Sequence, residues 1–152
     1  MALPIVYNKE EAQKLINRIN QLTPQTPAKW GKMNVAQMLA HSNVTYEYVF
    51  DERADKPNFL MKIILKLFLK KIVTNETPYK QNSGTAPAFI IADTRDFEKE
   101  KARLINYINN VVVKGASFFE GKESVSFGVM NATEWNNLMY KHINHHLEQF
   151  GV

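Results

Sequence analysis

The sequence predicts an all-α fold, a helical bundle built as one domain over residues 1–152. Three observations carry that expectation. Apolar residues recur at three- and four-residue spacing along five segments, and capping residues stand at the start of several of them. Strand-like segments are all but missing, with only a short candidate at Ala88–Ala92.

The first helix is expected from about Lys9 to Leu22, with Asn8 as N-cap, Glu11 three residues on, and Ala12, Leu15, Ile16 and Ile19 as its apolar face. Thr23-Pro24 and Thr26-Pro27 then break the chain. The second helix spans about Val35 to Phe50, opened by the Asn34 and Gln37 pair. After a polar loop, a third covers about Phe59 to Val73, with Lys62, Lys66 and Lys70 in line at four-residue spacing. An irregular stretch from Asn75 to Ala92 follows, longer than compact domains usually carry and so a candidate for function. The fourth helix begins near Asp93 or Thr94 and reaches about Val112, with Leu104, Ile105 and Ile108 as its stripe. A glycine-bearing connection, Lys114 to Val129, leads to the last helix, which starts after Asn131 and ends at Phe150 before Gly151.

Composition narrows the function classes. Hydrophobic residues make up 45% and charged residues 22%, as in ordinary globular proteins. The net charge of +4 is spread among acidic residues rather than massed in a patch, which argues against a nucleic-acid partner. Without cysteine, disulfides and thiolate metal ligands are excluded. The start, MALPIVYNKEE, lacks the pattern of a secretory signal, so a cytoplasmic location is expected. The apolar stretch from Asn58 to Thr74 is interrupted by four lysines, so no membrane insertion is expected.

The chemistry lies in the histidines. Three fall within His142-Ile-Asn-His145-His146, and His142 and His146 stand one helical turn apart, a spacing at which two imidazoles can share one cation. On a wheel of about 100° per residue both lie within about 20° of Trp135, in the middle of the apolar face, while His145 falls at its edge. Two neighbouring imidazoles in a core call for a partner that satisfies both, and a divalent ion does so. His41, on the second helix, is the remaining histidine. It lies about 120° from the middle of that helix's apolar stripe, beside Met38, Thr45 and Tyr48, so the pattern alone leaves it open between ligand and bystander.

The chain also resembles the DinB/YfiT-like superfamily of metal-dependent proteins, as an uncharacterised branch. The resemblance rests on Trp30-Gly31-Lys32-Met33 and on Gln37-Met38-Leu39-Ala40-His41. Thr85-Ala86-Pro87, Asp96-Phe97-Glu98 with Lys101 and Leu104, Phe127-Gly128, and the run from Tyr140 to Val152 add to it. It implies a four-helix bundle with one additional helix and long connecting loops. It also implies a divalent metal ion, nickel or zinc, on His41, His142 and His146. Helical spacing, apart from the resemblance, puts His145 in the second shell or at the surface. It also sets Thr45 and Tyr48, the latter seven residues after His41, as pocket candidates beside a plain core role for Tyr48. Relatives often carry His-Pro before the Phe-Gly pair, where this chain has Val125-Ser126, so the role of that further histidine is missing.

Three protein ligands leave a coordination position open, the pattern of catalytic rather than structural sites. The expectation is a metal-dependent transferase or hydrolase acting on a small-molecule substrate, with a low-molecular-weight thiol as the co-substrate the resemblance suggests. The alternative is a non-catalytic ligand- or metal-binding module. No carboxylate offers itself as general base, since Glu47 and Glu148 point away from the histidines on their helices. The lysine-striped third helix invites a membrane-surface reading. The pattern favours a solvated lysine face instead, with Leu60, Ile64, Leu67 and Phe68 turned inward and any surplus apolar surface serving a homodimer contact.

Overall fold

The computed structural model describes residues 2–152. Its elements are α1 (Lys9–Asn20), α2 (Val35–Val49), α3 (Phe59–Ile64), a π turn (Leu65–Leu69), α4 (Lys70–Thr74), a 3₁₀ turn (Pro87–Phe89), α5 (Phe97–Phe119), β1 (Glu123–Ser124), β2 (Gly128–Val129) and α6 (Ala132–Gln149). The long helices α1, α2, α5 and α6 pack together as an all-α bundle, and α3, the π turn and α4 form an additional arm against α6.

Local chemistry sets most boundaries. Asn8 accepts from the backbone N–H groups of Glu10 and Glu11 and starts α1. Asn34 with Gln37, and Asn131 with Glu134, form full capping boxes on α2 and α6. Gly151, at φ +80, ends α6 in the left-handed conformation that glycine adopts without cost.

The core runs down the middle of the bundle through Ile19, Met38, Leu39, Leu104, Met139, Ile143 and Leu147, each at most 0% exposed. Burial of each such side chain contributes about 1.5–3 kcal/mol. α2 is covered on nearly every side, from Val35 and Ala36 through His41, Ser42, Asn43 and Thr45 to Val49. It is the central helix, so an angular offset from its apolar stripe does not lead to solvent. Polar groups tie it to α5: Asn43 Nδ2 donates to the backbone oxygen and Oε2 of buried Glu100, at 3.0 and 2.8 Å. Arg103 pairs with both Glu100 and Glu47.

Several boundaries differ from the expectations. α1 stops at Asn20. α5 starts at Phe97 because Asp96, not Asp93 or Thr94, accepts from the Lys99 N–H as N-cap. It also runs past Val112 to Phe119, across a break at Gly115 (φ 68, ψ 170). The Ala88–Ala92 stretch forms no strand; Pro87 opens a 3₁₀ turn there, and the two-residue strands pair antiparallel at Glu123↔Val129 and Ser124↔Gly128.

The largest correction concerns the third helix. Leu60, Ile64, Leu67 and Phe68 do not turn inward; all four are exposed. The side chains packed against the core are Leu65, Leu69 and Val73. Lys70, expected on a solvated face, instead reaches Glu134 of α6 at 3.0 Å and donates to the Val129 carbonyl at 3.0 Å. The wheel assumes that the more apolar face is the inner one, and here it is the outer one.

A candidate metal centre

His41 from the middle of α2 and His142 and His146 from the second half of α6 meet in one cluster. Their ring centroids are 4.9 Å apart for His41–His142, 4.6 Å for His41–His146 and 4.8 Å for His142–His146. One nitrogen from each ring lies within 4.8 Å of the others, a set able to hold a metal ion. His41 and His146 are buried, and His142 keeps part of its surface accessible.

The hydrogen bonds behind the rings fix which nitrogens face the cluster. A carbonyl only accepts, so His41 Nδ1 donates to the Phe89 oxygen at 2.8 Å, which leaves the lone pair of His41 on Nε2. Gln149 Nε2 donates to the Trp30 carbonyl at 2.8 Å, so its Oε1, 2.8 Å from His146 Nδ1, is the acceptor. His146 therefore also carries its lone pair on Nε2. His142 is different: its Nδ1 lies 3.0 Å from Thr45 Oγ1 and its Nε2 lies 3.0 Å from His41 Nε2. With no cation, His142 Nε2–H donates to His41 and the Thr45 hydroxyl donates to Nδ1. With a cation, the same hydroxyl accepts from Nδ1–H and the Nε2 lone pair becomes available. The donor set thus fits a divalent ion on three Nε2 atoms, each ring braced from behind.

Electrostatics keeps the imidazoles neutral. Burial pushes His41 below the ordinary histidine pKa, only partly offset by the bond to Phe89. Burial, then the neighbouring His146 and His41, hold His142 far below it. Burial and His41 lower His146 to about 3. Neutral imidazole is the form that binds metal.

The surrounding residues fall into two groups. Thr45, buried on α2, contacts His142 directly. Tyr48 lies one layer further out: its ring stacks on Phe89 at 5.7 Å and its hydroxyl donates to Asp55. His145 stands beside the cluster, 5.2 Å from His146 and between the rings of Trp30 and Tyr79, each 5.8 Å away. The expectation that His142 and His146 occupy the middle of the apolar face needs adjustment. Trp135, Met139, Ile143 and Leu147 form that middle, and the histidines flank it on the side toward α2.

Two contributors escaped the sequence reading. Phe89 supplies a backbone oxygen, and its ring packs against His41 at 5.6 Å and His142 at 6.1 Å. Gln149, three residues after His146, could have been found by helical spacing. Its amide also explains Gly31, where a Cβ would lie 2.5 Å from Gln149 Nε2 and where φ is +85. Gly31→Ala is therefore expected to cost about 1–2 kcal/mol of stability through its left-handed backbone. By displacing the Gln149 amide it should also weaken divalent-metal binding about tenfold to a hundredfold. Denaturant unfolding and a chelator-competition titration read the two effects separately, and unchanged metal affinity would show that Gln149 does not orient His146.

Possible proton acceptors nearby are occupied elsewhere. Glu47 is held by Arg53 and Arg103, and Glu148 accepts from Asn144 at 3.0 Å. No helix among the described residues is long and apolar enough to cross a membrane.

No curated protein and no solved structure matches the chain. A family model described as a protein of unknown function (DUF1569) matches residues 7–151, a span that holds both the central helix with His41 and the closing helix with His142 and His146, and the chain belongs to that family.

Proposed function

We propose that the chain is a metal-dependent transferase or hydrolase for a small-molecule substrate, using a nickel or zinc ion on the Nε2 atoms of His41, His142 and His146. The observation that carries this reading is the bracing of all three imidazoles at Nδ1, by the Phe89 carbonyl, Thr45 and Gln149. Metal-binding histidines have this pattern of outer partners, whereas a merely structural core histidine needs only one satisfied contact. A divalent ion with three protein ligands keeps a position open and can lower the pKa of a water or thiol there toward neutrality.

The chain's own residues supply the rest. Phe89 and Gln149 hold two rings in the ligand tautomer before any ion arrives, and Thr45 adapts the third. The Phe89 ring shields His41 and His142 from one side. With Glu47 and Glu148 engaged elsewhere, the substrate's proton would pass to solvent water rather than to a carboxylate of the chain, which suits an acidic nucleophile such as a low-molecular-weight thiol. The bundle and the long connection between α2 and α5 support placing this family within the DinB/YfiT-like superfamily. The burial of His41 and His146 favours a second reading, a binding module whose ion or ligand is held without turnover.

Metal analysis of protein purified without a nickel-affinity step, followed by thiol-conjugation assays with a small electrophile, tests both. Stoichiometric metal with metal-dependent thiol consumption is expected. Stoichiometric metal without turnover would favour the binding module, and failure to take up nickel or zinc would remove the metal-dependent reading and leave only a module that holds a ligand without an ion.

A further inference from the structure

The arm formed by α3, the π turn and α4 presents its more apolar face outward. Phe59, Leu60, Leu67 and Phe68 are 80, 66, 67 and 70% exposed, and Ile64 and Ile72 extend the same surface. An apolar cluster of this extent marks an interaction site rather than ordinary surface. Its charge says what it meets. Residues 57–75 contain Lys62, Lys66, Lys70 and Lys71 and no acidic residue, so this one segment carries as much positive charge as the net +4 of the whole chain. Lys70 is engaged by Glu134, while no ion pair among the described residues involves Lys62, Lys66 or Lys71. Lys62 is half-buried and Lys66 lies close to Gly128, along the edge where the arm joins the bundle, while Lys71 is exposed.

We propose that the outer face of this arm docks on an anionic phospholipid surface, lying in the plane of the headgroups. The exposed phenylalanines and leucines would enter the boundary between headgroups and acyl chains, and the lysines would extend to lipid phosphates at its rim. No helix among the described residues is long and apolar enough to span the bilayer, and the attachment proposed is a peripheral one. A second copy of the chain is a poorer occupant. A two-fold contact sets each patch against itself, and this patch would bring its own lysines together with no carboxylate within the segment to neutralise them.

Co-sedimentation of the full chain with vesicles tests the proposal, using phosphatidylcholine alone and phosphatidylcholine with one third phosphatidylserine. Binding to the anionic vesicles, at least about tenfold stronger than to the neutral ones, is expected. The double variants Leu67→Ser/Phe68→Ser and Lys66→Glu/Lys71→Glu should each reduce it by about tenfold or more. All four positions are exposed, and circular dichroism checks the fold of each variant. The lysine pair keeps the test open should the apolar pair misfold. His142→Ala should bind vesicles like the unaltered chain, since this surface does not depend on the histidine cluster. No binding to anionic vesicles, equal binding to both kinds, or undiminished binding by both variants overturns the proposal. Vesicle binding absent together with a dimer that the apolar variant dissociates would assign the face to a second copy instead.

Discussion

His142→Ala is expected to lower the affinity for nickel or zinc by roughly a hundredfold or more while the bundle stays folded. A structural zinc site of four ligands is worth about 10–16 kcal/mol, so one ligand accounts for about 3 kcal/mol, or about two decades of affinity. The bundle tolerates the change because His142 flanks the stripe of Trp135, Met139, Ile143 and Leu147 and keeps part of its surface accessible. The remaining partner groups, Thr45 Oγ1 and His41 Nε2, then have solvent within reach through the space the ring vacates. His145→Ala is the matched comparison. Its ring sits with Trp30 and Tyr79 outside the trio, so metal affinity should stay close to that of the unaltered chain. A chelator-competition titration on all three proteins decides the matter, and equal affinities across them would show that the three imidazoles are not the ligands.

The second large effect is acid sensitivity of the metal-free protein. Three imidazoles are held neutral in the fold, with pKa values below the unfolded value of 6.5: His41 by burial, His142 by burial and its neighbours, and His146 at about 3. The unfolded chain takes up protons at these positions below pH 6.5 while the folded chain does not. Their contribution to stability is therefore complete above that pH and is lost as the pH falls from there toward the folded values. Each histidine that stays neutral costs up to about 1.4 kcal/mol per pH unit in that window. Denaturant midpoints in the presence of a chelator should fall steeply between neutral and mildly acidic pH. The His142→Ala protein should show a shallower fall, and parallel curves for the two would mean that the cluster does not stay neutral in the fold.

How far the sequence reveals this molecule depends on the range of the forces involved. The starts of α1, α2 and α6 were legible because Asn8, Asn34 and Asn131 bond to backbone two or three residues away, and that spacing is visible in the chain. The pairing of His142 with His146 was legible for the same reason. His41 was only half legible, since a wheel gives its angle within α2 but not the fact that α2 is covered on nearly every side. Phe89 was illegible as a site residue because a backbone oxygen has no signature in the sequence, and only the fold of the long connection brings it to His41. The third helix was misread for a physical reason. The bundle is met by Leu65, Leu69 and Val73 rather than by the more apolar face, and that choice is set by contacts such as Lys70 with Glu134, distant in the sequence.

The two-way hydroxyl of Thr45 has a consequence for how an ion is loaded. Because His41 and His146 already present bare Nε2 atoms and His142 need only move its hydrogen from one ring nitrogen to the other, the protein's own ligands discharge no net proton on binding. Sites built from thiols must shed acid as they fill. Here the heat of filling at neutral pH would owe nothing to the ligands' ionisation, and a change of buffer would leave their share of it untouched.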